Sequence, residues 1–138
     1  MQKCRIVIDT NLWISFLLTK KFDFIDKLLY NSNTVLIFSA ELIAELIEVT
    51  DRPKLSKFFT ADELKLVFEI IEYHAIFIPV ISYVNLCRDS KDNFLLSLAK
   101  DSKADYLITG DKDLLVLKTS EETKILTISE FQTIINQR

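Results

Sequence analysis

Glycine is almost absent from this sequence, which has one glycine, Gly110, among its 138 residues. A Walker-type phosphate loop and a dinucleotide-binding glycine fingerprint each need several glycines, so the sequence excludes both kinds of site. Gly110 stands immediately before Asp111. In so glycine-poor a chain, that position draws attention to the stretch around it.

Cysteine, histidine and long apolar runs are also scarce. The two cysteines, Cys4 and Cys87, are too few for a disulfide framework or a zinc site. The one histidine, His74, ends a predicted helix away from any motif, and we interpret it as structural or superficial. No apolar run is long enough to cross a bilayer. We therefore expect a cytoplasmic protein that does not associate with a membrane.

The net charge of −3 argues against a nucleic-acid coat protein, which would be basic. It does not exclude an enzyme that acts on nucleic acid, because such a site can concentrate acids while basic residues surround it. The apolar fraction of 49% and the charged fraction of 27% are ordinary for a globular protein. The length predicts a single domain over residues 1–138 with a sizeable core.

Short, continuous apolar runs predict strands that are buried on both faces of a sheet. They cover residues 4–8, 34–38, 75–80, 106–109 and 124–127. Helical patterns lie between them, over residues 12–18, 22–30, 40–50, about 61–74, 90–102 and a final short helix. Candidate N-caps precede four of these helices: Ser39, Thr60 (with Glu63 as a capping box), Asp89 and Ser129. This order predicts an α/β fold, a three-layer α/β/α sandwich around a mostly parallel sheet.

Two acids directly follow predicted strands. Asp9 comes after the first, and Asp111 comes after the fourth and the pair Thr109-Gly110. Ligands of open α/β sheets bind at the carboxyl ends of the strands. If these two strands are parallel, Asp9 and Asp111 lie on the same edge of the sheet.

Helical periodicity selects two further acids. Among the acids of the helix over residues 40–50, Glu45 lies at the edge of the apolar face, whereas Glu41 and Glu48 lie opposite it. Asp92 lies on the face that Leu95 and Leu96 share, which is the buried side of its helix. A buried carboxylate must be paired, neutral or bound to a cation.

Each acid alone has a simpler explanation. Asp9 could cap a helix, Glu45 could be a surface residue, and Asp111 could be a turn residue. Asp92 could belong with Asp89 to a helix N-terminus, where negative charge is favourable. Taken together, the four acids favour a shared site for Mg²⁺ or Mn²⁺, which prefer hard oxygen ligands. Such an ion activates water and neutralises charge on a phosphoryl group.

Four stretches occur in the order IVIDTNLWISFLL, FSAELIAELIEVTDRPKL, CRDSKDNFLLSLAKDSKADYLITGDKDLL and ILTISEF. Together they span nearly the whole chain, and in this combination the sequence resembles the PIN domain family. The resemblance is greatest to the PIN-family toxin components of bacterial toxin–antitoxin systems. It implies Mg²⁺- or Mn²⁺-dependent cleavage of single-stranded or structured RNA.

The resemblance also implies roles for individual residues. The catalytic and metal-binding quartet would be Asp9, Glu45, Asp92 and Asp111. Asp113 would be an additional acid, and Asp89 would act through water. Asn11 and Thr109 resemble polar residues that orient the carboxylates. Family members often have a further acid directly after the third, where this chain has Asn93. One ion is therefore expected, and a second is left open.

Residues near these motifs are candidates to bind the RNA strand. The basic candidates, which would hold flanking phosphates, are Arg52, Lys54, Lys57 and Lys112. Trp13 is the candidate for stacking on a base, with packing in the core or in a dimer as the simpler explanation. The further partners implied are a cognate antitoxin, whose C-terminal segment would block the acidic cleft, and a second copy in a homodimer.

Two other functions remain open. A module that has kept the fold without turnover would hold RNA or a partner protein. A receiver-like phosphoacceptor domain would also place acids at strand ends. The latter normally needs an early pair of adjacent acids and a lysine at the end of a late strand. Here Asp9 stands alone, and Lys124 begins its predicted strand.

Overall fold

The computed structural model describes residues 3–136. Its strands are β1 (Cys4–Ile8), β2 (Thr34–Phe38), β3 (Ile76–Phe77), β4 (Tyr106–Ile108), β5 (Thr119–Ser120) and β6 (Thr123–Leu126). Its helices are α1 (Thr10–Thr19), α2 (Asp23–Leu29), α3 (Ala40–Thr50), α4 (Pro53–Ser56), α5 (Ala61–His74), α6 (Ser90–Ser102), α7 (Lys112–Leu115) and α8 (Ile128–Asn136).

The strands form one sheet in the order β3-β2-β1-β4-β6-β5. Every neighbouring pair is parallel except the terminal pair of β5 and β6. Helices cover the sheet, and the whole is a three-layer α/β/α fold, which confirms the predicted fold class. The central pairing of β1 with β4 joins segments about a hundred residues apart in the chain and aligns Ile8 with Ile108.

The core lies on both faces of the central strands. Ile6, Val7 and Ile8 follow one another in β1 and are all completely buried, as are Leu107 and Ile108 in β4. Successive strand residues point to opposite faces, so consecutive burial requires cover on both sides. These apolar runs therefore have the character expected of a central parallel sheet.

The scarce residue types have the following places in the structure. Cys4 and Cys87 form no disulfide. The ring of His74 packs edge-on against Tyr30 and Tyr73. Within residues 3–136, no helix is both long and apolar enough to cross a membrane.

The third predicted strand is too long. The prediction covers residues 75–80, whereas β3 contains only Ile76 and Phe77. The Ile78 N–H still donates to Phe38 O (2.9 Å), but Pro79 follows and has no N–H to donate. Proline on this edge strand therefore ends the pairing, and residues 78–89 are irregular.

Three short features of the structure differ from the prediction. The connection over residues 51–59 contains α4, which begins with Pro53. The β5–β6 hairpin turns through Glu121 and Glu122 rather than the Asn-Gly or Asp-Gly that marks such turns.

The N-cap predicted at Ser129 is also wrong. It is Thr127 that shares reciprocal hydrogen bonds with Glu130, so Ser129 lies inside the first turn of α8.

The shortage of glycine appears in the backbone as left-handed residues that carry side chains. They are Lys20, Lys103, Lys118 and Glu121. Lys20 and Lys103 end α1 and α6, where glycine is the usual residue. The left-handed conformation brings Cβ too close to the following carbonyl oxygen. The chain therefore carries a small conformational cost at several of its turns.

Replacing Lys103, whose φ is 54°, by glycine should stabilise the protein. The left-handed conformation costs a residue with a side chain about 1–2 kcal/mol, and the freer unfolded chain of the variant offsets part of this gain. We expect Lys103→Gly to raise the free energy of unfolding in urea by about 0.5–1 kcal/mol. The matched control Lys100→Gly, inside the last turn of the same helix, should lower it by about 1 kcal/mol. Equal effects of the two substitutions would contradict the argument.

Candidate metal centre

The pairing of β1 with β4 places Asp9 and Asp111 at one edge of the sheet. Asp9 directly follows β1, and its N–H donates to Ile108 O at 3.0 Å. Asp111 lies beyond the end of β4, at the N-terminus of α7. Because both strands run in the same direction, both acids emerge at their carboxyl ends, as the sequence predicts.

Thr109 connects these two acids. Its hydroxyl donates to Asp9 Oδ2 at 2.7 Å and accepts the N–H of Asp111 at 3.0 Å. The side chain is completely buried, so these bonds are shielded from water. Thr109 thus has the geometry of the orienting residue that the resemblance implies.

Three of the acids also cap helices, as the simpler explanations expect. Asp9 Oδ1 accepts the N–H of Asn11 (3.1 Å), and Asp111 Oδ1 accepts the N–H of Asp113 (2.8 Å). Asp89 Oδ1 in the same way accepts the N–H of Lys91 at the start of α6 (2.9 Å). Asn11 therefore orients Asp9 through its backbone. A carboxylate has about four lone-pair sites, so capping leaves each acid able to bind a cation as well.

Helices α3 and α6 bring the other two predicted acids to the same place. Glu45 is half-buried on α3, whereas Glu41 and Glu48 are exposed, as the periodicity predicts. Asp92, in the first turn of α6, has only 5% of its surface exposed. A cleft of about 190 Å³ is lined by Asp9, Thr10, Asn11, Glu45, Val49, Arg52, Asp89, Lys91, Asp92, Leu95 and Asp111. The four predicted acids therefore share one cleft.

The closest group of carboxylates in this region is not the predicted quartet. Asp92, Asp111 and Asp113 each offer an oxygen, and these three atoms lie within 4.8 Å of one another. Asp113 is exposed, and the resemblance implies it only as an additional acid. Asp9 and Glu45 line the same cleft as Asp92 and Asp111.

Asp92 is the most perturbed acid of the cleft. Burial, a hydrogen bond to the Asp111 carboxyl and the nearby negative charges of Asp111, Asp89 and Asp9 raise the pKa of Asp92 to about 7. That hydrogen bond exists only while Asp92 is protonated. The buried Oδ2 atom of Asp92 has no hydrogen-bond partner in the described part of the chain. A cation beside this atom would stabilise the ionised carboxylate.

The pKa of Asp9 is also raised. Burial is the main cause, and the hydrogen bonds from Thr109 and Asn11 oppose it, while the charges of Asp111 and Asp89 add to it. Two buried carboxylates with raised pKa values face one cleft. An orphaned carboxylate oxygen and an all-oxygen donor set fit a hard divalent cation. Asp92, Asp111 and Asp113 would hold it, with Asp9 and Glu45 beside them.

Two basic residues lie close to acids of this site. Lys91 Nζ lies 3.6 Å from Glu45 Oε1, and an Arg88 guanidinium nitrogen lies 3.6 Å from Asp113 Oδ2. Neither residue is among the RNA-binding candidates predicted above. The sequence feature that could have identified them is the run RDSKD, in which Arg88 and Lys91 lie on either side of Asp89 and precede Asp92.

The basic residues predicted to bind RNA are distributed differently. Arg52 lines the cleft, but two hydrogen bonds of 3.0 and 2.9 Å hold its guanidinium against Glu48. Lys54, Lys57 and Lys112 are exposed and do not line the cleft. The Lys57 ammonium lies over the Phe58 ring instead.

The prediction that Trp13 stacks on a base is wrong. Trp13 is 1% exposed and packs against Phe16 and Phe38. It shares a helix face with Phe16 and Leu17, at the spacing of three and four that marks a buried stripe. The simpler explanation, packing in the core, is the correct one.

Asn93 binds the irregular segment that precedes α6. Its Oδ1 accepts the N–H groups of Leu86 (3.0 Å) and Cys87 (2.8 Å), and its Nδ2 donates to Cys87 O (2.8 Å) and Asn85 Oδ1 (3.3 Å). A carboxylate has no donor and could not make the last two bonds. The departure from an acid at this position therefore has a structural reason.

Asn93 is the first of three residues on α6 that bind this segment at intervals of four. Ser97 Oγ accepts the N–H of Val84 (2.9 Å). Asp101 Oδ2 accepts the N–H groups of Ile81 (2.7 Å) and Ser82 (2.8 Å). We call Asn93, Ser97 and Asp101 the α6 ladder. It fixes the backbone path that leads to Arg88 and Asp89.

Gly110 is not required by the backbone or by packing. Its φ is not positive, and a Cβ at this position would meet no atom within 4 Å. Only the rarity of glycine in the chain drew attention to this position. The described neighbours of Gly110 leave room for a side chain.

The comparisons with known proteins agree with this geometry. The PIN domain family model matches residues 5–113, a range that begins before Asp9 and ends at Asp113. The chain belongs to the PIN domain family. PIN domains are generally nucleases that commonly bind RNA and typically hold divalent metal ions. The matched range contains every acid of the cleft.

The uncharacterized protein MJ1680 of Methanocaldococcus jannaschii is similar to this PIN domain. The two are 34% identical over 135 aligned residues, which cover 92% of this chain and 82% of the relative. This similarity supports the family assignment over nearly the whole chain.

The raised pKa of Asp92 predicts how stability depends on pH. Below about pH 4, Asp92 is protonated in both the folded and the unfolded chain and contributes nothing. Between about pH 4 and pH 7 the folded state holds the proton more tightly, so the free energy of unfolding falls as the pH rises. We expect metal-free Asp92→Asn to be more stable than the wild type at pH 8, by on the order of 1–4 kcal/mol. The difference should vanish near pH 4.

Urea unfolding of both proteins in chelator across this pH range measures the effect. The matched control is Glu41→Gln, which removes an exposed acid of α3 and should keep the wild-type pH dependence. Mn²⁺ at neutral pH should restore the stability of the wild type, because a ligand of the folded state stabilises it. A wild type whose stability is unchanged between chelator and Mn²⁺ would refute the metal centre.

Gly110→Ala should raise the free energy of unfolding by about 0.4–1 kcal/mol, because alanine restricts the unfolded chain and fits the native backbone. Thermal melting in chelator measures this change. A lower melting temperature would show that the glycine is needed for the fold.

Proposed function

We propose that this PIN domain is a Mg²⁺- or Mn²⁺-dependent endoribonuclease that hydrolyses RNA phosphodiester bonds in its acidic cleft. The observation that carries the proposal is the buried Asp92 carboxylate. It shares one cleft with four other acids and has an oxygen with no hydrogen-bond partner in the described part of the chain. Membership of a nuclease family supports the same reaction.

The residues of the site would have different roles in the reaction. Asp92, Asp111 and Asp113 would hold the ion, and Asp9 and Glu45 would complete its surroundings. A bound ion of this kind supplies an activated water and neutralises negative charge on the phosphoryl group. Thr109 keeps the Asp9 carboxylate and the Asp111 backbone in fixed positions, so that the acids need little rearrangement. Asp89 would contact the ion through water.

Asp9→Asn should abolish Mn²⁺-dependent cleavage of labelled single-stranded RNA while preserving the fold. The amide keeps an oxygen that can accept the Thr109 hydroxyl or the Asn11 N–H, but it loses the negative charge. Activity and circular dichroism should be measured on the same preparation. Removing one such electrostatic group typically lowers kcat at least about a hundred-fold.

Glu41→Gln is the matched control, since Glu41 is an exposed acid on the helix that carries Glu45. It should cleave as the wild type does. Full activity of Asp9→Asn, or activity of the wild type in chelator, would exclude the proposed site. RNA binding by the wild type without cleavage at any length or sequence would instead support a binding module.

A receiver-like phosphoacceptor receives no support from the geometry. Lys124 lies in β6 and pairs with Tyr106, the first residue of β4. It is therefore near the start of the parallel strands, at the edge opposite the acids. Labelling of Asp9 by acetyl phosphate would overturn this conclusion.

The toxin role is an extension of the proposal that rests on the sequence resemblance. It predicts a cognate antitoxin whose C-terminal segment blocks the cleft, a homodimer and a cytoplasmic location. A gene for a small partner protein beside this one would support the pair. Co-expression should then suppress the cleavage activity.

A further inference from the structure

Two basic side chains lie over acids of the site without a hydrogen bond to them. The distances from Lys91 to Glu45 and from Arg88 to Asp113 are both 3.6 Å, longer than the 2.7–3.2 Å usual for such bonds. Both basic side chains are well exposed, Lys91 to 60% and Arg88 to 91%. Ion pairs of exposed groups contribute little, so these two cations are held loosely.

The backbone beneath these side chains is held firmly by contrast. Asn93 fixes residues 86 and 87 immediately before Arg88. Asp89 accepts the N–H of Lys91 and caps α6. Each basic side chain therefore has a fixed attachment point and a free end. This arrangement suits a residue that must reach a ligand at a defined place.

The partners of both cations are acids that the proposed site uses for its ion. When Glu45 and Asp113 turn to a divalent cation, Lys91 and Arg88 lose these two ion pairs and are repelled by the added positive charge. They then stand beside the cleft without those partners. An approaching polyanion would meet them there.

Two other cations have partners outside the acidic site. Arg52 makes two hydrogen bonds with Glu48. Lys100, on the same helix as Lys91, pairs with Glu121. Lys91 and Arg88 differ from these because their partners belong to the acidic site.

We propose that Lys91 and Arg88 bind the two phosphates that flank the scissile phosphate of the RNA strand. Lys91 holds the one on the Glu45 side, and Arg88 holds the one on the Asp113 side. The proposal rests on the nuclease function proposed above and identifies two substrate-binding residues for it.

The salt dependence of KM tests this assignment. Each phosphate contact to a single strand contributes about −0.7 to the slope of log affinity against log salt concentration. With Mn²⁺ and labelled single-stranded RNA, Lys91→Gln and Arg88→Gln should each flatten the slope by about 0.7, and the double variant by about 1.4. KM should rise while kcat stays within about two-fold, because flanking contacts are equal in the ground and transition states. Lys91→Arg should keep the wild-type slope.

Mn²⁺ binding in the absence of RNA supplies a second readout with the opposite sign. Lys91→Gln frees Glu45 from a competing cation, so calorimetry should show Mn²⁺ binding up to about five-fold tighter than in the wild type. A substitution that merely disturbed the fold would weaken both ligands. Lys100→Gln, on the same helix but paired with Glu121, should change neither.

The outcomes separate the two proposals. A wild type that cleaves RNA while both variants keep its salt slope would overturn the phosphate assignment alone. Weaker Mn²⁺ binding by Lys91→Gln, together with a higher KM, would also overturn it in favour of a structural role. A wild type that neither cleaves nor binds RNA would overturn the nuclease function and this assignment together.

Discussion

The parallel pairing of β1 with β4 is the constraint on which the site depends. It aligns Ile8 with Ile108, so the chain leaves both strands at the same edge and delivers Asp9 and Asp111 together. Thr109 then converts this alignment into hydrogen bonds by binding both residues. The surrounding core, completely buried at Ile6 and Leu107, keeps the pair in register. The most apolar part of the molecule thereby determines where its most polar part is assembled.

The acidic cleft opposes the stability of the fold that builds it. Burial and neighbouring negative charges raise the pKa of Asp92 and of Asp9, which means that ionising them in the folded chain is unfavourable. A native protein is stable by only about 5–15 kcal/mol, so such a cost is a substantial part of the whole. Residues that crowd charge in this way are typical of functional sites rather than of structural ones.

The sequence predicted the strands and helices in which the pattern of apolar residues shows which side chains are buried. Continuous apolar runs identified the central strands, and helical periodicity separated Glu45 from Glu41 and placed Asp92 on a buried face. It did not predict β5 or α7, because such short elements carry too few residues for a period to appear. The loose pairing of Lys91 with Glu45 and of Arg88 with Asp113 depends on where two exposed side chains end in space. Their place in the run RDSKD does not encode that. Trp13 was a stacking candidate because it stands next to the Asp9 motif, whereas its helical spacing with Phe16 and Leu17 supports packing, which was the simpler explanation.

The α6 ladder has a consequence for how this region can evolve. Asn93, Ser97 and Asp101 bind backbone N–H groups, and the exposed side chains of Ile81 and Tyr83 take no part in those bonds. The identity of these outward residues is therefore free to drift. The number of residues between the ladder contacts is not free, since one insertion would move every later N–H group past its acceptor. Homologous chains that share the α6 ladder should differ in the residues of the irregular segment before α6 but keep the length of that segment.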